Sequence, residues 1–237
     1  MRLYGRRRGR KLRAGRLGLT ETLLPRLRVP LAPAGALDPA ALFPFKPREI
    51  RLEIGFGAGE HLAHQAKANP DIGFIGCEAF VNGVAALLAR VRAENLGNVR
   101  VLDDDVRLLF GLLPEASLDR VVALFPDPWP KTRHHRRRLI QPETLDEFAR
   151  VLKGGGELRF ATDHMGYARW TLLGCLGHPA FSWAARSSRD WRARPGDSPQ
   201  TRYEAKAHRH GRACVYLVFQ RVPRPGEGLP RPPAGDI

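Results

Sequence analysis

The sequence predicts an α/β fold in which a mostly parallel sheet is covered by helices on both faces. Between residues 50 and 220, short apolar runs alternate with segments of helical periodicity, without an internal repeat. Strands that alternate with helices form parallel sheets, because each helix returns the chain to the same edge of the sheet. The predicted strands cover residues 50–54, 73–77, 99–102, 120–125, 157–161, 181–185 and 214–220, and the predicted helices cover residues 61–69, 81–95, 139–152 and 167–176.

The segments that flank this alternating region differ in composition. Residues 1–18 contain few apolar side chains, which predicts a flexible arm, and residues 25–47 are rich in proline and alanine, which predicts a linker. Residues 222–237 are rich in proline and glycine, which predicts a disordered tail. We therefore expect a basic arm and linker over residues 1–47, one domain over residues 48–221, and the tail after it.

Size and composition narrow the class of protein. The chain has 237 residues, of which 43% are hydrophobic and 27% charged, enough for one sizeable core. No run of about 18 apolar residues predicts a membrane-spanning helix, and the arginine-rich start lacks the apolar region of a secretory signal. Three scattered cysteines predict neither a disulfide framework nor a metal site. We expect a cytoplasmic protein that uses neither a membrane nor a metal.

The net charge of +15 is concentrated in two segments. Residues 1–28 hold ten Lys and Arg against one acid, residues 131–138 hold five and no acid, and the rest of the chain is nearly neutral. Clustered arginines bind a phosphate backbone with release of counterions. An anionic membrane surface is a weaker match, because no amphipathic apolar face accompanies the first segment. The distribution favours nucleic acid as the partner over a merely solvated tail and loop.

A glycine-rich loop joins the first predicted strand to the first predicted helix. Gly55, Gly57 and Gly59 have the spacing G-x-G-x-G, shorter than the dinucleotide fingerprint G-x-G-x-x-G. Glycines let a ligand approach the backbone closely, and ligands of open α/β sheets bind at the carboxyl ends of the strands. Glu53 precedes the loop, and its carboxylate would repel a pyrophosphate but attract an ammonium group.

Acidic residues also end the next two predicted strands. Glu78 follows the second strand, where it could accept hydrogen bonds from a ribose diol. Asp103, Asp104 and Asp105 follow the third strand, where a carboxylate could accept the amino group of adenine. Sites for an ammonium group, a ribose and an adenine together describe S-adenosylmethionine better than a nicotinamide dinucleotide. The sequence leaves open which of these aspartates contacts the adenine.

A proline-rich loop, FPDPWP at residues 125–130, ends the fourth predicted strand. Its three prolines fix φ and remove backbone donors, so the loop is stiff. It would hold Asp127 and Trp129 beside the predicted donor site. There an aromatic ring can wall a base pocket, and a carboxylate can accept from ring or amino N–H groups. A rigid structural turn with Trp129 packed in the core is the alternative.

Four segments of the chain resemble the bacterial tRNA (guanine-N7-)-methyltransferases. They are EIGFGAGEHL at residues 53–62, FPDPWPKTRHHRRR at residues 125–138, ATD at residues 161–163 and TRYE at residues 201–204. The resemblance covers residues 48–221 and implies a Rossmann-like, seven-stranded methyltransferase sheet with an antiparallel last strand. It also implies methyl transfer from S-adenosylmethionine to N7 of the guanine at position 46 in the variable loop of tRNA.

The resemblance implies roles for individual residues. Asp127 would be catalytic, and the residues that bind the donor would be Glu53, Gly55, Gly57, Gly59, Glu78, Asp104, Asp105 and Asp127. The substrate would contact Lys131, Asp163, Thr201, Arg202, Tyr203 and Glu204, and RNA would contact Arg133, His134, His135, Arg136, Arg137 and Arg138. Without the resemblance, Asp163 is equally well predicted as a helix N-cap, and residues 201–204 are predicted as a polar loop.

The expected reaction needs no general base, because guanine N7 carries a lone pair and no proton. We therefore expect His61, His64, His134 and His135 on helix surfaces or against phosphates rather than in proton transfer. Three other functions match parts of the sequence. A methyltransferase for exocyclic amines is disfavoured by the spacing of the prolines in PDPWP, and a nicotinamide dehydrogenase by the acid before the glycine loop. A non-catalytic nucleic-acid-binding protein stays open, as does the choice between monomer and homodimer.

Overall fold

A seven-stranded sheet forms the centre of the molecule. The structure is a computed structural model that describes residues 5–31 and 37–227. The strands are β1 (Ile50–Ile54), β2 (Gly73–Cys77), β3 (Val99–Leu102), β4 (Leu118–Leu124), β5 (Leu152–Thr162), β6 (Phe181–Trp183) and β7 (Val215–Arg221). Their order is β3-β2-β1-β4-β5-β7-β6, and β7 runs antiparallel to both of its neighbours while the other pairs are parallel. The predicted mostly parallel sheet with an antiparallel last strand is confirmed.

Helices cover both faces of this sheet. They are α1 (Ala14–Thr22), α2 (Leu24–Leu27), α3 (Glu60–Ala68), α4 (Val81–Glu94), α5 (Val106–Phe110), α6 (Pro142–Val151), α7 (Met165–Leu176), α8 (Arg189–Arg192) and α9 (Arg202–Arg209). Successive strand residues point to opposite faces. Val101 therefore packs in one core cluster with α3 and α4, whereas Leu102 packs in the other with α5, α6 and α7. The predicted α/β architecture is confirmed.

The strand order places a crevice at one edge of the sheet. From β1 the chain proceeds outward to β2 and β3, and it then returns to the other side of β1 to form β4. The loops that follow β1 and β4 therefore diverge at the carboxyl edge. Open α/β sheets bind ligands at such a switch point, because the diverging loops leave room between them.

The N-terminal region is more ordered than the sequence predicts. Residues 14–18, which were predicted in a flexible arm, belong to α1. Leu19 of α1 and Leu24 of α2 are buried in the core cluster that contains α4, and this burial stabilises the two helices. In the predicted linker, Val29 donates a backbone hydrogen bond to Val101 at 2.9 Å. Residues 1–4 and 32–36 lie outside the described residues.

The C-terminal segment also differs from its predicted disorder over residues 222–227. The backbone N–H of Val222 donates to the carbonyl of Ala180 at 2.9 Å. Glu227 forms an ion pair with the buried side chain of Arg221. These contacts continue the packing of β7 beyond the end of the strand. Residues 228–237 lie outside the described residues.

Side chains at the starts of helices overturn three local predictions. Residues 139–141 precede α6, which starts at Pro142, a residue suited to the first turn. Residues 201–204 form the start of α9 rather than a loop, with Thr201 as its N-cap. Asp163 is not an N-cap, because His164 caps α7 by accepting from the N–H of Tyr167 at 3.1 Å.

Candidate active site

A cavity of about 420 Å³ opens at the carboxyl ends of β1, β2 and β4. Its volume lies within the roughly 300–1,000 Å³ of small-molecule sites. The lining combines glycine backbone, carboxylates, an aromatic pair and guanidinium groups, including Gly55, Gly57, Glu78, Asp104, Asp105, Asp127, Trp129, Arg136, Arg137 and Tyr203. Gly5 and Arg6 also line it, so the fold brings to one cavity residues that the sequence places in six separate segments.

The glycine loop after β1 needs its glycines for conformation. Gly55, Gly57 and Gly59 have φ values of 70°, 59° and 73°, which L side chains rarely adopt. The loop also packs closely on α4: a Cβ added at Gly83 would lie 2.2 Å from the carbonyl oxygen of Gly57. The sequence pattern alone does not identify Gly83 as a site residue, because only this tertiary contact requires a glycine there. The one local signal is a glycine in the first turn of a helix.

Glu78, at the end of β2, holds the glycine loop in place. Its Oε2 accepts from the N–H of Gly57 at 2.8 Å, and its Oε1 accepts from the N–H of Phe80 at 2.9 Å. Burial raises the pKa of the Glu78 carboxyl, and the nearby charge of Asp127 raises it further. The two carboxylates therefore repel each other across the cavity, and a cationic ligand between them would relieve this repulsion.

The aspartates after β3 face different surroundings. Each pairs with an arginine: Asp103 with Arg28 at 2.8 Å, Asp104 with Arg7 at 2.9 Å, and Asp105 with Arg107. Asp104 and Asp105 line the cavity, whereas Asp103 does not. Asp105 also accepts from the N–H of Arg107 at 3.1 Å as the N-cap of α5. The geometry leaves Asp104 and Asp105 as the carboxylates that a ligand in this cavity could reach.

The loop after β4 has a strained backbone at the mouth of the cavity. Phe125 and Trp129 have φ values of 52° and 43°, which are uncommon for bulky residues and cost of order 1–3 kcal/mol each. Asp127 lies between them, and no other described residue forms a hydrogen bond or ion pair with its carboxylate. Partial burial raises the pKa of Asp127. The loop therefore presents a carboxylate that is free to bind a ligand.

Arg138 supports this loop from below. Its side chain is only 4% exposed, and its Nε donates to the carbonyl of Pro128 at 2.9 Å. The guanidinium lies 4.9 Å from the ring centroid of Tyr167 and 5.1 Å from that of Trp170. The side chain thus supports the loop, and Arg138 also belongs to the lining of the cavity; its predicted RNA contact stays a prediction.

The basic segment that follows the loop forms a 3₁₀ helix, Thr132–Arg137. Lys131, Arg133 and Arg136 are exposed, and Arg136 also lines the cavity. Arg137 lies over the ring of Trp129, 5.0 Å from its centroid. His134 and His135 face Trp129 and Trp170, with ring centroids 6.0 and 5.4 Å apart. The exposed cations and the cavity mouth are therefore parts of one rigid surface.

Glu53 does not line this cavity. It is 5% exposed, and its Oε2 lies 2.7 Å from Nδ1 of His61. Glu53 faces away because its neighbour Ile54 lines the cavity and alternate strand residues point to opposite faces. His61, expected on a helix surface, is buried, with its Nε2 3.5 Å from Oγ of Ser198. The pair ties the end of β1 to α3.

Of the TRYE segment, Tyr203 reaches the cavity. Its side chain is 44% exposed and lies beside the glycine loop, where a Cβ on Gly57 would be 3.1 Å from the ring. Thr201 and Glu204 are buried: Oγ1 of Thr201 accepts from the N–H of Glu204 at 3.2 Å, and Glu204 accepts from Arg194 at 3.1 Å. These buried contacts hold α9 so that Tyr203 faces the cavity.

The remaining predicted substrate residues lie outside the cavity lining. Asp163 pairs with Arg212 at 3.1 Å, and Arg202 lies 3.7 Å from Glu60. Within the described residues, no group of three or more His, Cys, Asp and Glu side chains is placed to hold a metal ion. None of the described helices is long and apolar enough to cross a membrane.

The sequence has curated relatives along nearly its whole length. It is 52% identical over 241 residues to the tRNA (guanine-N(7)-)-methyltransferase of Rhodospirillum rubrum, which covers 99% of this chain and 94% of the relative. It is 54% identical over 225 residues to the enzyme of that name in Paramagnetospirillum magneticum, which covers 94% of each chain. A family model described as "Putative methyltransferase" matches residues 47–217.

Solved structures share the fold at low sequence identity. The 16S rRNA methyltransferase KamB matches with a TM-score of 0.54 and 18% identity, covering 75% of this chain and 89% of that chain. A SAM-dependent O-methyltransferase from Thermotoga maritima matches with a TM-score of 0.50 and 18% identity, covering 79% and 64%. These likenesses show a Rossmann-like methyltransferase fold, and the sequence relatives show more: the chain belongs to the tRNA (guanine-N7-)-methyltransferase family.

Proposed function

We propose that this protein transfers a methyl group from S-adenosylmethionine to N7 of the guanine at position 46 in the variable loop of tRNA, in the cytoplasm. One observation supports it above the others: the carboxylate-lined cavity at the switch point of the sheet borders directly on an exposed, arginine-rich segment. The relatives carry the name of this activity over almost the whole chain. A small cationic donor and a polyanionic substrate fit these two adjoining surfaces.

The cavity lining fits the methyl donor. Glu78, Asp104, Asp105 and Asp127 supply carboxylates for a positively charged ligand, for a ribose diol and for an adenine amino group. The positive-φ glycines leave open backbone at Gly55, where an added Cβ would meet no atom within 4 Å. When bound there, S-adenosylmethionine would supply an electrophilic methyl group on a sulfonium.

The residues of the site suit a reaction that depends on positioning rather than proton transfer. Guanine N7 has a lone pair and no proton to lose. No histidine lines the described cavity, and His61 is committed to Glu53 on the other face of the sheet. Aligning two reactants at about 3–3.5 Å can alone supply roughly 7–11 kcal/mol. The stiff FPDPWP loop and its buried support, Arg138, provide such alignment.

We assign three roles at the mouth of the cavity. Asp127 binds either the guanine N–H groups or the cationic end of the donor, because its carboxylate is free and adjacent to both. Trp129 and Tyr203 provide aromatic walls for a flat base. Lys131, Arg133 and Arg136 bind RNA phosphates, because they are exposed next to the position that the base would occupy. Position 46 itself follows from the resemblance of the motifs.

The test is methyl transfer to unmodified tRNA, with the methylated atom located by mass spectrometry of the digested RNA. We expect N7-methylguanosine at one position. Asp127→Asn should lower kcat by about 100-fold or more, since a charge-assisted contact at the reacting groups is lost, and leave the thermal midpoint unchanged. Glu115→Gln, a change of the same size in an exposed carboxylate outside the cavity, is the control.

Two outcomes would contradict the proposal. Methylation at an exocyclic amine would assign the chain to a different reaction. Absence of transfer together with absence of donor binding in calorimetry would indicate a non-catalytic RNA-binding protein. Activity of the Asp127→Asn variant equal to that of the Glu115→Gln control would remove Asp127 from the site.

A further inference from the structure

The segment before α1, residues 5–13, is fixed along the start of α4. The carbonyl of Arg7 accepts from the N–H of Val81 at 3.0 Å. The N–H of Gly9 donates to Oδ1 of Asn82 at 2.8 Å, and Nδ2 of Asn82 donates to the carbonyl of Arg10 at 2.8 Å. These three hydrogen bonds use backbone atoms of the segment, so its course does not depend on its exposed side chains.

This segment also borders the cavity. Gly5 and Arg6 belong to the lining that includes Arg136 and Arg137. Arg7 reaches Asp104 at 2.9 Å, at the same edge of the sheet. Residues 5–13 thus lie at the rim of the same cavity as residues 131–138, although more than a hundred positions separate the two segments in the sequence. The two basic segments of the chain consequently meet at the proposed site of methyl transfer.

Most of the cations on this segment and on α1 form no ion pair with a described acid. Arg7 is committed to Asp104, but no described Asp or Glu forms an ion pair with the six other exposed cations, which are Arg6, Arg8, Arg10, Lys11, Arg13 and Arg16. We refer to these six residues as the N-terminal basic surface. Unpaired arginines held on a fixed backbone lose little entropy when they bind phosphates, because the chain is already ordered.

We propose that the N-terminal basic surface binds the phosphate backbone of the same tRNA whose guanine enters the cavity. This inference rests on the proposed function, and it adds a second binding surface to that of Lys131, Arg133 and Arg136. An RNA partner fits better than an anionic membrane. The apolar side chain of Leu19 on α1 is buried in the protein core, so α1 does not offer a full apolar face to lipid.

The test compares two triple variants that remove the same charge. The first replaces Arg8, Arg10 and Lys11 with Gln. The control replaces three other exposed cations, Lys46, Lys67 and Arg92, with Gln. Lys46 precedes β1, and Lys67 and Arg92 lie toward the C-terminal ends of α3 and α4. All three therefore lie toward the opposite edge of the sheet. Binding of labelled, unmodified tRNA without donor is measured by fluorescence anisotropy between about 50 and about 200 mM salt.

We expect the first variant to bind tRNA about tenfold more weakly than the control. The slope of log K against log salt should become shallower by about 2, since each lost phosphate contact contributes about 0.7–0.9. The KM for tRNA should rise while kcat at saturating tRNA, donor affinity and the thermal midpoint match the control, because none of the three substituted side chains lies in the cavity lining.

Several results would overturn the inference. One is equal tRNA binding by the two variants, and another is a loss of donor affinity, which would mean that the segment only builds the cavity. A third is unchanged tRNA binding with loss of binding to phosphatidylglycerol vesicles, which would identify a membrane surface. Because the measurement uses tRNA without donor, a wild-type protein that binds tRNA through this surface but transfers no methyl group would refute the proposed function alone.

Discussion

At the scale of single residues, the protein opposes the ionisation of two carboxylates in the site, those of Glu78 and Asp127. Burial raises the pKa of Glu78 and of Asp127, and no described cation forms an ion pair with either carboxylate. Ionised carboxylates in a partly dehydrated cavity interact strongly with a cation, because less water screens the attraction. The energetic cost of holding them ionised is thus recovered when a positively charged ligand binds.

The first residue-scale prediction concerns pH. The pKa of Glu78 lies above its ordinary value of 4.5, so acidification should weaken S-adenosylmethionine binding from a pH above 4.5 downward. The stability of the ligand-free protein has the opposite pH dependence. A raised carboxyl pKa stabilises the folded state below pH 4.5, and this stabilisation is lost as the pH rises through the raised pKa. Calorimetric titrations and thermal midpoints across this range measure the two effects.

S-adenosylhomocysteine provides the matched ligand for this experiment, because it lacks the sulfonium charge. The preference for the charged ligand should shrink as the pH falls. A preference that stays constant between pH 7 and pH 4.5 would show that the Glu78 and Asp127 carboxylates do not contact the sulfonium region.

A second residue-scale prediction concerns Gly83. In Gly83→Ala the new Cβ would lie 2.2 Å from the carbonyl of Gly57, so the glycine loop must shift. We expect a loss of roughly 1–3 kcal/mol in the free energy of unfolding and at least tenfold weaker donor binding. Gly18→Ala, in α1, is the control: its Cβ meets nothing within 4 Å, and it should stabilise by roughly 0.5–1 kcal/mol. Denaturant titration and calorimetry test both variants, and equal behaviour would contradict the packing argument.

At the scale of secondary-structure elements, the loop after β4 is held in a strained conformation by what lies beneath it. The positive φ values of Phe125 and Trp129 persist because Arg138 holds the carbonyl of Pro128 and packs on α7 aromatic rings. The 3₁₀ helix that follows connects this support to the exposed cations. Rigidity and charge therefore arise from the same short segment.

The prediction at this scale distinguishes the buried arginine of that segment, Arg138, from an exposed one, Arg136. Arg138→Lys loses the planar contacts and the bond to Pro128, so it should destabilise the protein by roughly 1.5–3 kcal/mol and lower kcat at saturating tRNA. Arg136→Gln should leave the thermal midpoint unchanged, weaken tRNA binding and make its salt dependence shallower by about 0.7–0.9. Steady-state kinetics with thermal unfolding distinguish them. Identical profiles for the two variants would contradict this division.

At the scale of the whole molecule, acidic and basic residues occupy separate parts of the site. Acidic side chains end β2 and β3 inside the cavity, and the two basic segments, residues 5–13 and 131–138, meet at its rim. This arrangement attracts a polyanion to the surface while keeping its phosphates out of the cavity, where carboxylates repel them. A cationic donor and an anionic substrate can therefore bind side by side without competing.

Much of this arrangement could be predicted from local sequence patterns. Alternating strands and helices indicate the sheet, and the glycine loop and the FPDPWP loop identify the strands that end at the cavity. Glu78, Asp104, Asp105 and Asp127 were placed together because carboxyl ends of parallel strands share an edge. The prediction for Glu53 depends on which way a side chain points, and the structure turns this side chain toward His61 instead of the cavity.

The sequence by itself determined the fold class, the family and most of the acidic residues that line the cavity, because periodicity, turn residues and motif spacing are local properties of the chain. The tertiary structure alone decided which charged residues are accessible. It buried Arg138 beneath the loop after β4, turned Glu53 toward His61, and fixed the backbone of residues 5–13 beside the cavity. Accessibility depends on contacts between distant segments, and such contacts exist only once the chain is folded.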